Sequence, residues 1–168
     1  ELQIGSYKIH KIPLDIFSSI IMPNYKKYKT IAAEKNLDFV IEKKAIDTVL
    51  FCDEYSTDSI VSNIIDNAIK YTEVGFVKVI VSRNPNNNLI IEVEDSGMGI
   101  DEELIDKIFE PFTQQETVYK RRFDGIGLGL GLVKKYCELN NADINLKSEL
   151  GKGTKATVIF KDNTNVSS

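Results

Sequence analysis

The order of periodic segments predicts an α/β protein, a two-layer α/β sandwich whose mixed, mainly antiparallel sheet is covered on one face by about three helices. Three observations carry this. Residues 53–71 repeat apolar side chains at helical spacing; Phe76 to Ser82 with Leu89 to Asp95, and Ala142 to Ser148 with Thr154 to Phe160, alternate as paired strands; and glycine clusters separate these blocks. The chain of 168 residues, 42% of them hydrophobic, suffices for a single core. It is expected to form one domain over residues 1–161, with a loose polar tail over 162–168.

Taken in order, residues 7–12 alternate as a strand. Asp15 is placed to cap a helix running to about Asn36, with Pro23 expected to kink or break it. Short apolar runs at Leu37 to Ile41 and Thr48 to Cys52 read as strands. Asp53, Ser56, Thr57 and Asp58 are N-cap residue types ahead of the next helix, and Gly75 follows its last turn. Asn86-Asn87-Asn88 reads as the turn of the first hairpin. A helix is expected from Asp101 to Phe109, and another after the glycine cluster, to about Leu139. The second hairpin closes at Gly151-Lys152-Gly153.

Function classes narrow on composition. The balance of 21 basic and 25 acidic residues, net charge −4, gives no footprint for nucleic acid. No apolar run approaches the roughly 20 residues needed to span a bilayer, and no signal segment opens the chain. Beginning at Glu1, it is expected to be a piece of something longer. Cys52 and Cys137 lack metal-ligand spacing and read as two reduced, partly buried thiols.

Three separated stretches carry chemistry. On the helical wheel of residues 53–71, Ile60, Val61, Ile64, Ile65, Ala68 and Ile69 fill one stripe, while Asn63, Asn67 and Lys70 lie opposite within roughly 60° of one another. These could be a solvated face. Asn, however, competes with the backbone in a helix interior, where Glu, Lys or Gln would serve better. A neutral oxygen for Mg²⁺, an ammonium for phosphate and the Tyr71 ring for a base make the alternative. Asp95 ends an alternating strand. Ionised, it accepts hydrogen bonds only, matching the exocyclic amino group of adenine; it could equally be a capping residue ahead of the next helix. Gly97 and Gly99 would let the backbone turn and approach a flat ligand. Gly125, Gly127, Gly129 and Gly131 alternate with Ile126, Leu128 and Leu130 and lead into a helix, an arrangement that presents N–H groups to phosphate or simply allows close packing. The chain contains neither G-x-G-x-x-G nor G-x-x-x-x-G-K-[ST].

In combination these stretches resemble the catalytic and ATP-binding domain of two-component sensor histidine kinases, a Bergerat-fold branch of the superfamily that also holds DNA gyrase, Hsp90 and MutL. The resemblance runs from about Asp53 to Phe160. Asn63 to Tyr71 resembles the N box, Asp95 to Ile100 the first glycine box, Phe109-Glu110-Pro111-Phe112 the F box, and Gly125 to Leu130 the second glycine box. It implies that Asn67 ligates Mg²⁺, that Asn63 and Lys70 meet the phosphates, that Tyr71 flanks the base and that Asp95, assisted by Thr154, binds the adenine amino group. Gly97, Gly99, Ile100, Phe112, Gly125, Gly127, Gly129 and Leu130 complete the implied nucleotide site. The polar stretch Thr113 to Asp124 reads as a loop of functional length and matches the ATP lid; Lys120, Arg121 and Arg122 are either triphosphate partners or a solvated basic cluster, Arg122 being the implied catalytic member.

Two departures refine this. The hydrolytic members place a Glu, the base that activates water, where this chain has Asn63, and an amide cannot take that proton. That favours phosphoryl transfer over hydrolysis. The single histidine, His10, lies in Tyr7-Lys8-Ile9-His10-Lys11-Ile12, without the H-E-[LI]-R-T-P context of a phosphoacceptor. The resemblance therefore implies a donor domain that offers Mg-ATP to a histidine on a dimerisation domain absent here, with a response regulator downstream. It also implies a monomeric fragment and a cytoplasmic location, as a cytoplasmic protein or the cytoplasmic portion of a membrane-bound sensor. A non-catalytic nucleotide-binding regulator and a slow ATPase of the gyrase, Hsp90 and MutL kind are the alternatives.

Overall fold

The computed structural model describes residues 7–109 and 130–161. Its strands are β1 (Lys11–Asp15), β2 (Asp38–Lys43), β3 (Val49–Asp53), β4 (Phe76–Arg83), β5 (Leu89–Asp95), β6 (Ala142–Glu149) and β7 (Gly153–Phe160). Its helices are α1 (Met22–Glu34), α2 (Glu54–Lys70), α3 (Glu102–Ile108) and α4 (Leu130–Leu139), four among the described residues. None is long and apolar enough to cross a membrane.

Five strands form the main sheet in the order β2-β4-β5-β7-β6. Only β2 and β4 run parallel; the other three pairs are antiparallel. The register places Asp95 opposite Thr154, Val93 opposite Ala156 and Ile91 opposite Val158, all on one face. Successive strand residues point to opposite faces, so Leu89, Ile91 and Val93 meet Ala156, Val158 and Phe160 in a buried layer beneath the helices. On the other face Glu42, Lys78, Glu94 and Lys155 stand in neighbouring strands, with Lys78 Nζ 3.3 Å from Glu42 Oε1. Opposite charges on adjacent strands suit a face exposed to water.

The helices bury the stripes their periodicity defines. Ile60, Val61, Ile64, Ile65, Ala68 and Ile69 of α2 are all buried, joined by Val133, Tyr136 and Cys137 of α4. Burial raises both thiols, Cys52 to about 11 and Cys137 to about 12, so both remain protonated and inert at neutral pH.

Two expectations from the N-terminal region are corrected. The first strand spans residues 11–15, not 7–12, and pairs with β3 as a separate two-stranded ribbon. The reason lies at Asp53: the His10 N–H donates to its carboxylate at 2.9 Å and so does not join the ladder. Pro13 is tolerated because β1 has a partner on one side only. Pro23 does not break the helix either. Asp15 Oδ1 accepts from Phe17 N, then a π-helical turn, Phe17–Ile21, runs directly into α1. The Met22 N–H reaches back to the Phe17 carbonyl, five residues away, which widens the turn just where proline lacks a donor. Asn24 Nδ2 supplies a bond to the Ile20 carbonyl and a second, at 2.8 Å, to Asp58 on α2.

Candidate functional site

The site is assembled from the C-terminal half of α2, the loop after β5 and the β6–β7 hairpin. Asp53 sets the start of α2 by accepting from Ser56 N, and Lys35 Nζ closes its end, bonding the Ile69 and Lys70 carbonyls at 2.7 and 3.2 Å. An ammonium there satisfies terminal carbonyls and opposes the negative end of the helix dipole. With both ends held, α2 presents Ile64, Asn67, Ala68 and Tyr71 to a pocket whose further walls are Val93, Asp95, Met98, Gly99, Ile100, Leu130, Leu146, Thr154 and Ala156. The walls are mainly apolar and the polar groups few, as suits a flat heterocycle.

Seven predicted residues therefore meet in one place: Asn67, Tyr71, Asp95, Gly99, Ile100, Leu130 and Thr154. Three others are described but do not line it. Asn63, one turn earlier on α2, donates from Nδ2 to the Ser59 carbonyl at 2.7 Å. Lys70 is exposed, with Nζ 3.6 Å from Asp66 Oδ2, a pair weak enough to exchange for another anion. Gly97 packs against the Tyr71 carbonyl and the Thr72 hydroxyl. Phe112, Lys120, Arg121, Arg122, Gly125, Gly127 and Gly129 fall outside the described residues, as does the tail 162–168.

Asp95 is not the cap of the following helix. Asp101 does that, accepting from Glu103 N. Instead Asp95 Oδ1 gathers two backbone donors, Gly97 N at 2.8 Å and Thr154 N at 3.2 Å. Burial nevertheless outweighs these bonds, and the carboxyl sits above its ordinary value. An acceptor-rich group that is costly to leave charged in the apo pocket has affinity to spare for a ligand donor.

The glycines also meet a second requirement. A Cβ on Gly97 would meet the Tyr71 carbonyl at 2.4 Å, and one on Gly99, at φ +76°, the Glu149 carbonyl at 2.1 Å. That requirement is close approach to the protein's own backbone, which draws the loop onto both α2 and the hairpin. The Met98 N–H accordingly bonds the Tyr71 carbonyl, and Gly151 N the Met98 carbonyl.

Several members were not singled out beforehand. Leu146 and Ala156 share the inward parity of Thr154, a signal that alternation already contains. Thr72, buried, donates to the Ala68 carbonyl and packs beside Asp95. Lys134 on α4 lies over the Phe109 ring, 6.0 Å from its centroid. Among the described residues no group of three or more His, Cys, Asp or Glu side chains could hold a metal. An ion at Asn67 would thus need most of its ligands from elsewhere, which is the habit of Mg²⁺ bound with phosphates.

A family model described as histidine kinase-, DNA gyrase B-, and HSP90-like ATPase matches residues 52–164. The autoinducer 2 sensor kinase/phosphatase LuxQ of Vibrio parahaemolyticus is 30% identical over 164 residues, which is 94% of this chain and 19% of that protein. The sensor histidine kinase RcsC of Escherichia coli is 37% identical over 106 residues, 63% of this chain and 11% of the relative. The chain thus spans a fifth or less of the length of these curated relatives. Among solved structures, full-length ShkA in complex with AMPPNP superposes with a TM-score of 0.79 at 24% identity, covering 94% of this chain and 33% of that one. The catalytic domain of histidine kinase ThkA gives 0.77 at 24%, covering 91% and 96%. At these identities the structural likeness is one of fold.

Proposed function

We propose, from the premise that the chain belongs to the histidine kinase-, DNA gyrase B- and HSP90-like ATPase family, that residues 1–161 form one catalytic and ATP-binding domain of a sensor histidine kinase. In this reading it binds Mg-ATP and presents the γ-phosphate to a phosphoacceptor histidine on a dimerisation domain, which a response regulator then relieves of the phosphoryl group. The observation that carries the reading is the convergence of Asn67, Tyr71, Asp95 and Thr154 on one mainly apolar pocket.

Each residue has a role that its environment supports. The apolar walls take the base, Asp95 accepts from its amino group, and Tyr71 flanks the ring. Asn67 fits Mg²⁺ through its amide oxygen, while Asn63 and Lys70 lie on the same helix face toward the phosphates. When bound, Mg²⁺ supplies charge neutralisation to the polyphosphate. Positioning and neutralisation are most of what phosphoryl transfer needs, and neither requires a base at position 63. Arg122 and its neighbours in the lid, with Phe112, Gly125, Gly127 and Gly129, complete the proposed site from the segment outside the described residues. ShkA, whose structure was solved with AMPPNP, shares the fold and supports the choice of an adenine nucleotide.

Titration of the chain with ATP, with and without Mg²⁺, tests the premise: micromolar to millimolar binding that Mg²⁺ strengthens is expected, and no binding at millimolar ATP would refute it. Adding a histidine-bearing dimerisation domain should then yield an acid-labile phosphoryl group on that domain, with negligible free phosphate from the chain alone.

A further inference from the structure

Ser148 does not line the pocket, yet it touches two residues that do, Ile100 and Thr154, and the carbonyl of Gly153 beside them. Its Oγ accepts from Ile100 N at 2.7 Å, donates to the Gly153 carbonyl at 3.0 Å and lies 2.8 Å from Thr154 Oγ1. A serine hydroxyl has one proton and two lone pairs, and a carbonyl oxygen can only accept. The Ser148 proton is therefore committed to Gly153. One lone pair takes the Ile100 N–H, and the other takes the Thr154 proton.

We propose that Ser148 is a positioning residue that sets base specificity by fixing the direction of the Thr154 hydroxyl. With its proton held by Ser148 and its backbone N–H on Asp95 Oδ1 at 3.2 Å, Thr154 offers the pocket lone pairs alone, beside a carboxylate that also only accepts. This end of the pocket matches a purine bearing an exocyclic amino donor and opposes a 6-oxo purine. A bridging water preserves the preference, because a water that donates to both Asp95 and Thr154 can only accept from the base. The same Ser148 bonds tie the loop after β5 to the hairpin through Ile100, so the two acceptors keep one spacing.

The inference rests on the nucleotide reading above, and the test separates the two. Affinities for ATP and for inosine triphosphate, which differ by amino against oxo at one ring position, are measured on the 168-residue chain with Mg²⁺. Ser148→Ala should lower the ATP-to-ITP affinity ratio roughly fivefold to tenfold, the size expected for one directed hydrogen bond. Ser148→Thr, which keeps the hydroxyl, should restore it. Thr154→Val should lower the ratio similarly, and the double variant Ser148→Ala/Thr154→Val should be no worse than Thr154→Val, since Ser148 acts through Thr154. An unchanged ratio in Ser148→Ala, or in Thr154→Val should the alanine variant not fold, overturns the inference while leaving ATP binding intact. Wild-type chain that binds neither nucleotide overturns the nucleotide reading and this inference with it.

Discussion

Asp53 and Asp95 each end a strand where the chain leaves a sheet, yet their surroundings are opposite. Asp53 is 3% exposed and saturated: Oδ2 accepts from Tyr7 Oη at 2.6 Å and from Ser56 N, and Oδ1 from His10 N, while its own N–H donates to Asn140 Oδ1. Burial alone would raise this carboxyl, but the bonds from Ser56, Tyr7 and His10 outweigh it and hold it below its ordinary value. Asp95 has two backbone donors on one oxygen, burial prevails, and its carboxyl is pushed up. One aspartate stabilises the fold by being charged; the other opposes the ligand-free fold by being charged. Donor count at a buried carboxylate separates the capping Asp53 from Asp95, the proposed adenine acceptor, where strand position does not.

The contrast breaks most visibly at Asp95. Asp95→Asn should weaken ATP binding at least about 100-fold, because an amide can turn a donor toward the adenine amino group. The same variant should unfold no earlier than wild type at pH 7. A carboxyl raised in the folded state contributes stability below its unfolded value, near 4, and loses it as pH rises through the folded value, so at neutral pH its replacement relieves a cost. ATP titration and a thermal melt check both halves, and affinity within threefold of wild type would show the base to be bound elsewhere.

Asp53→Ala should do the reverse, lowering the unfolding free energy in urea by about 2–4 kcal/mol through loss of the helix cap and of donors left buried, with ATP affinity of the folded fraction changed less than threefold. Acid sharpens the comparison. Because the Asp53 carboxyl is depressed in the fold, its contribution is present above the unfolded value and is lost as pH falls through the folded one, so wild type should lose stability below about pH 4. Asp53→Asn should flatten that limb. The smallest effect is expected from Tyr7→Phe, about 1 kcal/mol, since Asp53 keeps its Ser56 and His10 donors; a loss as large as that of Asp53→Ala would make Tyr7, not the carboxylate, the centre of the cluster.

Legibility in the sequence follows the range of the forces involved. Both hairpins and α2 were readable because alternation, the 3.6-residue stripe and the Asp53 cap are local. Asn87, at φ +67° in the first hairpin turn, is a residue type that tolerates this conformation. The first strand was misplaced because the donor that ends it, His10 N–H, goes to a carboxylate 43 residues away. At the site, residue type and spacing pointed to Asn67, Asp95 and Thr154, which the fold brings to one pocket. They did not point to Ser148, since its role appears only once the β6–β7 register brings it to Thr154 and the loop brings Ile100 to both. The glycines were legible as necessary, but their close packing on the backbone of Tyr71 and Glu149 depends on contacts remote in sequence.

The Tyr7 contact also has a mechanical meaning. Its ring stands against those of Tyr55 and Tyr136, at centroid distances of 5.7 and 6.1 Å, while its hydroxyl holds the N-cap of α2. A pull on the chain ahead of Tyr7 is therefore borne by the first turn of one helix and the last turns of another. From that cap, at 1.5 Å per residue, α2 runs about 21 Å to Asn67 and about 25 Å to Lys70. Over that length the helix is backed by its buried apolar stripe, Ile60 to Ile69.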